Sequence, residues 1–223
     1  MDMKLFAQAI IKYICGVIIV GLLIFIPAGS FNYINGWLFM GLLFIPMFIA
    51  GIIMFFTNPE LLRSRLNAKE KETEQKEVVL LSGLMFIIGF VLAGLNYKYN
   101  WMNIPDSIVI IASIVFIIAY LLYAEVLREN TFLSRTIEVK DDQKVVDTGL
   151  YGIVRHPMYS ITIILFLMIP IILRSPISFI VFLMYPFIII KRVNNEEKVL
   201  EKDLKGYKDY QKRVKYKLIP FIW

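Results

Sequence analysis

The residues with the most evident chemistry lie in one short segment, 149–159, which reads Gly-Leu-Tyr-Gly-Ile-Val-Arg-His-Pro-Met-Tyr. Pro157 suits the first turn of a helix, because its missing N–H is not needed there. We therefore expect His156 at or beside the N-cap and Tyr159 one turn into the helix, on a similar face. A helix N-terminus offers free N–H groups and a positive dipole end, and Arg155 adds a cation. The segment therefore predicts a site for a ligand that carries an anionic group.

His156 is the only histidine of the chain, so no second histidine exists to share a metal ion with it. Cys15 is the only cysteine, which excludes a cysteine metal cluster and an internal disulfide framework. We therefore expect no metal site. A plain helix cap, at the point where the chain passes into a membrane, would use the same residues, and the segment alone leaves this alternative open.

A second polar cluster, Arg192, Asn195, Glu196 and Glu197, follows the last apolar run. Arg192 and Glu196 are four residues apart, so they share a helix face and can pair. Glu197 points about 100° away from that face. An ordinary salt bridge at a helix end would explain this cluster by itself. However, a short apolar hairpin separates the two clusters, so both are expected at the same membrane face, within reach of one ligand.

The composition indicates which elements position these clusters. The 223 residues are 58% hydrophobic with a mean hydropathy of +0.68, against about 45–50% apolar residues in average globular chains. A membrane span needs about 20 mainly apolar residues. Six apolar segments are predicted at about Leu5–Ala28, Ile34–Phe56, Val78–Tyr97, Ile104–Leu127, Met158–Leu173 and Ile177–Ile190. The first is expected to be a retained span rather than a signal peptide, because it is too long for one.

We therefore expect an all-α integral membrane protein with about six transmembrane helices, the last two forming a short helical hairpin. The net charge of +6 is explained by contact with membrane lipids rather than with nucleic acid, because the basic residues lie in loops and the tail. Lys and Arg number five in 57–77, five in 128–156 and ten from Lys191 onward. By the positive-inside rule, these segments and both termini are expected in the cytoplasm.

Three further segments carry weaker predictions. Leu200, Leu204, Tyr207 and Val214 recur at helical spacing and predict an amphipathic helix under the spans or on the lipid surface. The mixed-charge run Lys69–Glu77 is expected to be a solvated helix face without chemistry. Glu125, an acid within an apolar run, is explained equally by a helix-end pair with Arg128 and by a place beside the pocket.

The order of motifs in the C-terminal part resembles the isoprenylcysteine carboxyl methyltransferase family and its phospholipid methyltransferase relatives. The resemblance rests on the 149–159 segment, a hairpin, Arg192-xxx-Glu196-Glu197-xx-Leu200 and Tyr207-xx-Tyr210-xxx-Val214, and it covers roughly 130–220. It implies a methyltransferase-like region at 128–223, while the apolar segments predict a four-span membrane region at 1–127. We expect the two regions to form one integrated domain.

The resemblance also implies S-adenosylmethionine as cofactor, held in a pocket that faces the cytoplasm. Arg192 would hold the acidic group of the acceptor and act in catalysis together with Glu196. Thr136 falls where some family members have another cofactor contact. The residues expected to bind the cofactor are Gln143, Lys144, Val145, Val146, Tyr151, His156, Pro157, Met158, Tyr159 and Glu196.

These roles of the residues agree with physical chemistry, since a helix N-terminus suits a carboxylate and Glu196 suits an ammonium or ribose hydroxyls. Methyl transfer from a sulfonium requires positioning and desolvation of an activated donor. A carboxylate acceptor, with a pKa near 4, arrives ionised and needs no base. An amine or thiol acceptor must lose a proton, which would require Glu196 or Glu197. The sequence leaves the acceptor and the oligomeric state open, beyond a lipophilic acceptor that enters from the bilayer.

Two other functions stay open from the sequence. The first is a sterol-reductase-like enzyme that binds NADPH, because such proteins share a similar Arg-His-Pro-Asn-Tyr element. This chain has Met158 where they tend to have Asn. The second is a non-catalytic lipid-binding membrane protein, which would need neither Glu196 nor Arg192. We expect a prokaryotic plasma membrane location, or the endoplasmic reticulum for a eukaryotic chain.

Overall fold

The computed structural model describes residues 2–67, 73–134, 136, 137, 139 and 142–223. All regular elements among them are helical. They are α1 (Met3–Ala28), α2 (Ile34–Thr57), α3 (Pro59–Leu66), α4 (Thr73–Tyr99), α5 (Asp106–Glu129), a 3₁₀ turn (Gly149–Gly152), α6 (Pro157–Ile172), α7 (Pro176–Phe182), α8 (Tyr185–Asp203) and α9 (Tyr207–Arg213).

The chain is an integral membrane protein with several helices long and apolar enough to span a bilayer. Within the described residues, five stretches meet this criterion: Met3–Ala28, Ile34–Thr57, Gln75–Tyr99, Asp106–Glu129 and Pro176–Asp203. The apolar helix α6, with 16 residues, is about 24 Å long and is shorter than the ~30 Å hydrocarbon layer. It forms the predicted short hairpin with α7 and the first part of α8.

The sixth predicted segment, Ile177–Ile190, is not one continuous helix. Helix α7 ends at Phe182 and α8 begins at Tyr185. Pro186 explains the break, because it lacks the N–H that would bond the carbonyl of Phe182, and its ring clashes with that carbonyl. The second helix then continues to Asp203, well past the expected end, and carries Arg192, Glu196 and Glu197 as one rigid element.

The turn of the hairpin, between α6 and α7, is fixed by side chains from α4 and from the start of α2. The Tyr33 hydroxyl donates to the carbonyl of Leu173, and Asn35 Nδ2 donates to that of Ile172 at 3.0 Å. Asn96 Nδ2 donates to the carbonyl of Arg174 at 3.0 Å. These carbonyls end a helix without partners inside it, so the contacts satisfy groups that would otherwise be costly to bury. The hairpin is thereby fixed to α2 and α4.

The core between the helices is aromatic. The ring centroid of Phe39 lies 5.6 Å from that of Phe90 and 6.4 Å from that of Phe116, while Phe90 lies 6.1 Å from Phe182. One connected cluster of buried side chains extends from Ile24 to Leu218. It therefore includes residues from both regions, 1–127 and 128–223.

Candidate functional site

A cleft lies where the start of α6 faces the polar part of α8. Together with the open solvent at its mouth, the cleft encloses about 780 Å³. The walls come from the segment after α5, the 3₁₀ turn, the first turn of α6, α8 and α9. The predicted residues on these walls are Gln143, Lys144, Val145, Val146, Tyr151, His156, Met158, Tyr159, Arg192 and Glu196, together with Thr136.

The structure thus brings both predicted clusters to one cleft, although their roles in binding and catalysis stay predictions. Pro157 lies outside the cleft lining and instead begins α6, with His156 as the N-cap, as the sequence predicted. The first N–H groups of a helix lack partners within it, and Pro157 has none. Met158 therefore provides the first N–H of this helix beside the cleft.

The chain after α9 holds the segment before α6 in place. The backbone N–H of Arg155 donates to the carbonyl of Tyr216, and that of His156 to the carbonyl of Lys217, both at 2.9 Å. The Ser160 hydroxyl donates to the carbonyl of Leu218 at 2.6 Å. Sequence reasoning did not find this pairing, because it joins residues far apart in the chain and no local pattern indicates it.

Glu197 lies at the centre of a buried polar network behind the cleft. Its Oε1 lies 2.7 Å from Arg155 Nε and 3.2 Å from His156 Nε2, and its Oε2 lies 3.0 Å from Lys217 Nζ. The side chains of Arg155 and Glu197 are 7% and 6% exposed. Arg155 Nη1 also donates to the carbonyls of Val214 and Lys215 at 2.8 Å. This network joins α6, α8 and the tail.

On the neighbouring face of α8, Arg192 and Glu196 meet through a tyrosine. Arg192 Nε donates to the Tyr159 hydroxyl at 2.8 Å, and that hydroxyl donates to Glu196 Oε2 at 2.6 Å. The sequence predicted the shared face and a possible pair, but it did not find the hydroxyl that lies between the two charges. The relay places a cation and an anion side by side at the cleft wall.

Buried tyrosines form the remaining polar part of the cleft. The Tyr210 hydroxyl donates to the carbonyl of Tyr151 at 2.7 Å, and Asn130 Nδ2 donates to the Tyr151 hydroxyl at 3.2 Å. Burial raises the pKa of Tyr151 and of Tyr207, and the negative charge of Glu197 raises the pKa of Tyr207 further. Both phenols therefore stay protonated at neutral pH and act as hydrogen-bond donors.

The predicted amphipathic helix after Glu196 is divided into two helices, which corrects the sequence prediction. Helix α8 ends at Asp203, and α9 starts only at Tyr207. Gly206, with φ +87°, supplies the left-handed conformation that the turn requires. The predicted apolar residues nevertheless pack together, since Leu204, Tyr207 and Val214 form a buried cluster with Tyr210, and Leu200 packs against it.

The mixed-charge run Lys69–Glu77, which overlaps the start of α4, departs from its prediction at Gln75, while Lys76 and Glu77 are exposed as expected. Residues 68–72 lie outside the described part of the chain, but Gln75 is 1% exposed and not on a solvated face. Arg192 Nη1 donates to Gln75 Oε1 at 3.3 Å. Arg65 of α3 also reaches the cleft wall, because its Nη1 donates to the carbonyl of Ser134 at 3.3 Å. Polar side chains of the first 127 residues therefore reach the site.

Glu125 is explained by its helix-end pair. Its carboxylate accepts from Arg128 Nε at 2.8 Å and from Nη2 at 2.6 Å. Glu125 does not belong to the cleft lining found among the described residues.

The cleft combines groups that suit a ligand with both charges and a flat ring. Glu196 offers a negative charge, Arg192 and Lys144 offer positive ones, and buried phenol rings offer apolar faces with polar edges. This donor set fits a zwitterionic amino acid joined to a nucleoside. It also fits a sulfonium, which is attracted to carboxylates and aromatic faces.

Comparison with known proteins agrees with this description. Residues 107–202 match the isoprenylcysteine carboxyl methyltransferase family. A solved structure of a eukaryotic intramembrane Ras methyltransferase is similar over 96% of this chain and 77% of its own, at 19% identity and a TM-score of 0.57. A search of curated protein sequences finds no match.

The chain therefore has the fold of a helical membrane protein, similar to that of a solved intramembrane methyltransferase. The matched residues include the start of α6, the hairpin and α8, which carry most of the polar cleft. The match to the isoprenylcysteine carboxyl methyltransferase family covers this part of the chain.

Proposed function

We propose that this protein is an S-adenosylmethionine-dependent methyltransferase of the membrane that methylates a lipophilic acceptor. The proposed acceptor group is a carboxylate, such as the C-terminal carboxyl of a prenylcysteine, which would become a methyl ester. The observation that carries this proposal is the relay Arg192–Tyr159–Glu196, which lies in the same cleft as the start of α6. The family match supports the reaction class.

S-adenosylmethionine supplies an activated methyl group on a sulfonium. The chain would hold its amino acid end with the N–H of Met158, near His156, and with the carboxylate of Glu196. Residues 143–146 and Tyr151 would shelter the nucleoside. Tyr159, already bonded to Glu196, would keep that carboxylate turned toward the ligand.

Arg192 is the group proposed to receive the acceptor. Its guanidinium matches the geometry of a carboxylate, and it would hold one oxygen while the other faces the methyl group. A carboxylate needs no base, which agrees with the contacts of Glu197. That acid already faces Arg155, His156 and Lys217, so it is poorly placed to remove a proton from an amine or thiol.

The proposed location is the cytoplasmic face of a prokaryotic plasma membrane, with the endoplasmic reticulum as the eukaryotic equivalent. The distribution of Lys and Arg supports this orientation. The acceptor would then enter sideways from the bilayer, because its lipid chain is soluble there and the cleft begins where α6 begins.

The proposal is tested with the full chain purified in detergent. Calorimetry is used to titrate S-adenosylmethionine, its demethylated product and NADPH. Binding of the first two alone supports the proposal, binding of NADPH alone indicates a sterol-reductase-like enzyme, and no binding leaves a non-catalytic lipid-binding protein. Arg192→Ala is expected to keep donor binding and lose turnover.

The product identifies the acceptor group. With a labelled methyl donor and a prenylated cysteine that has a free carboxylate, mild base should release labelled methanol from a methyl ester. Label that resists base would indicate methylation of nitrogen or sulfur and would overturn the carboxylate assignment. Glu201→Gln, at an exposed acid between one and two turns after Glu196 on α8, serves as the control variant and should behave as wild type.

A further inference from the structure

Gln75 is a buried polar residue that touches the site from outside the family-matched segment. It lies in the first turn of α4, is 1% exposed, and precedes the matched residues 107–202. Both polar atoms of its side-chain amide contact the same residue of α8, Arg192. Nε2 donates to the backbone carbonyl of Arg192 at 3.4 Å, and Oε1 accepts from Arg192 Nη1 at 3.3 Å.

A buried glutamine needs a reason beyond filling space. A buried amide that lacks partners costs about 1–3 kcal/mol, and a leucine or methionine would fill a similar volume without that requirement. Attachment of α4 to α8 is not a sufficient reason either. The neighbouring ion pair Lys191–Glu77 joins the same helices at 2.6 Å, at exposed positions away from the cleft.

Two hydrogen bonds of the Arg192 guanidinium, among its contacts, show what Gln75 adds. Nε donates to the Tyr159 hydroxyl at 2.8 Å, and Nη1 donates to Gln75. A guanidinium is planar and rigid. Fixing Nε and Nη1 therefore fixes the plane of the group and the direction of its other N–H bonds.

We propose that Gln75 is a positioning residue that orients Arg192 toward the acceptor carboxylate. Gln75 acts through Arg192 and does not contact the ligands itself. It thereby makes the first 127 residues part of the specificity of the site. This inference rests on the proposed function, because it assumes that Arg192 receives the acceptor.

The test compares Gln75→Leu with Glu77→Gln in the full chain. Gln75→Leu removes two hydrogen bonds between α4 and α8, both to Arg192, whereas Glu77→Gln removes the ion pair with Lys191 between the same helices. A hydrogen bond to a charged group contributes about 1.5–3 kcal/mol. The contact is long, so we take the lower end and expect kcat/KM for the prenylated cysteine to fall about tenfold. The dissociation constant of S-adenosylmethionine should stay unchanged, and Glu77→Gln should match wild type.

A second substitution separates orientation from packing. Gln75→Glu keeps an oxygen that accepts from Arg192 Nη1 but loses the donor to the Arg192 carbonyl, so it should recover part of the lost turnover. Gln75→Met keeps the length of the side chain, and it replaces Gln75→Leu if that variant does not fold.

The outcomes distinguish the two proposals. Absence of methyl transfer by the wild type would refute the proposed function. An active wild type with an equally active, folded Gln75→Leu or Gln75→Met variant would refute the positioning role. A parallel loss of donor affinity and turnover would also refute it, since it would indicate a general collapse of the cleft.

Discussion

Glu196 and Glu197 are adjacent acids, and the structure predicts a different consequence of substitution for each. Glu197 is 5% exposed and faces Arg155, His156 and Lys217. Glu196 lies at the cleft wall and accepts a hydrogen bond from Tyr159. We therefore expect Glu197→Gln to destabilise the fold and Glu196→Gln to weaken binding of the donor.

The magnitude follows from the burial of Arg155. Removal of one partner from a buried ion pair costs about 3–5 kcal/mol. The glutamine oxygen can still accept from Arg155 Nε, so the lower end, about 3 kcal/mol, applies to Glu197→Gln. For a chain of this size, about 2–4 °C of Tm corresponds to 1 kcal/mol, which predicts a decrease of about 6–12 °C.

The assay pairs thermal unfolding in detergent with calorimetric titration of S-adenosylmethionine. Glu196→Gln keeps an oxygen that can accept from the Tyr159 hydroxyl, so its Tm should fall less than that of Glu197→Gln, and it should lose donor affinity. A Glu197→Gln variant as stable as wild type would refute the role of the buried network. Unchanged donor affinity in Glu196→Gln would remove that residue from the cofactor site.

Two further predictions concern packing and the relay. Gly94→Ala would place a methyl group 2.5 Å from the backbone carbonyl of Ile24, so α1 and α4 must separate, at a cost of about 1–3 kcal/mol. In Gly83→Ala, on the same helix, the added methyl group meets nothing within 4 Å, so the Tm should not fall. An equal fall of the Tm in both variants would contradict the packing argument. Tyr159→Phe keeps the ring but removes the hydroxyl between Arg192 and Glu196, so turnover should fall about tenfold, the equivalent of one charge-assisted hydrogen bond. Full activity with a labelled methyl donor would show that the relay is not needed.

Local chemistry in the sequence was enough to predict much of the fold and the site. Long apolar runs predicted the membrane helices, and Pro157 placed the start of α6 and the N-cap at His156. The short hairpin then predicted that both polar clusters meet at one face. The cleft contains almost every residue expected to line it.

The remaining features depend on contacts between distant segments. In the local sequence, Glu196 and Glu197 differ only in the direction of their side chains around the helix axis, about 100° apart. That difference does not identify Arg155 as the partner of Glu197. Gln75 stands in a charged run that looks solvated, and its burial depends on how α4 packs on α8. The two missed breaks, by contrast, carried a local signal in Pro186 and Gly206.

The pairing of residues 216–218 with the start of α6 sets an order of events during synthesis. Arg155 and His156 leave the ribosome long before the carbonyls of Tyr216 and Lys217 that they bond. The apolar helices can therefore insert into the bilayer while the pocket is still unfinished. The wall of the cleft that this pairing fixes would therefore be complete only after residues 216–218 have reached the start of α6.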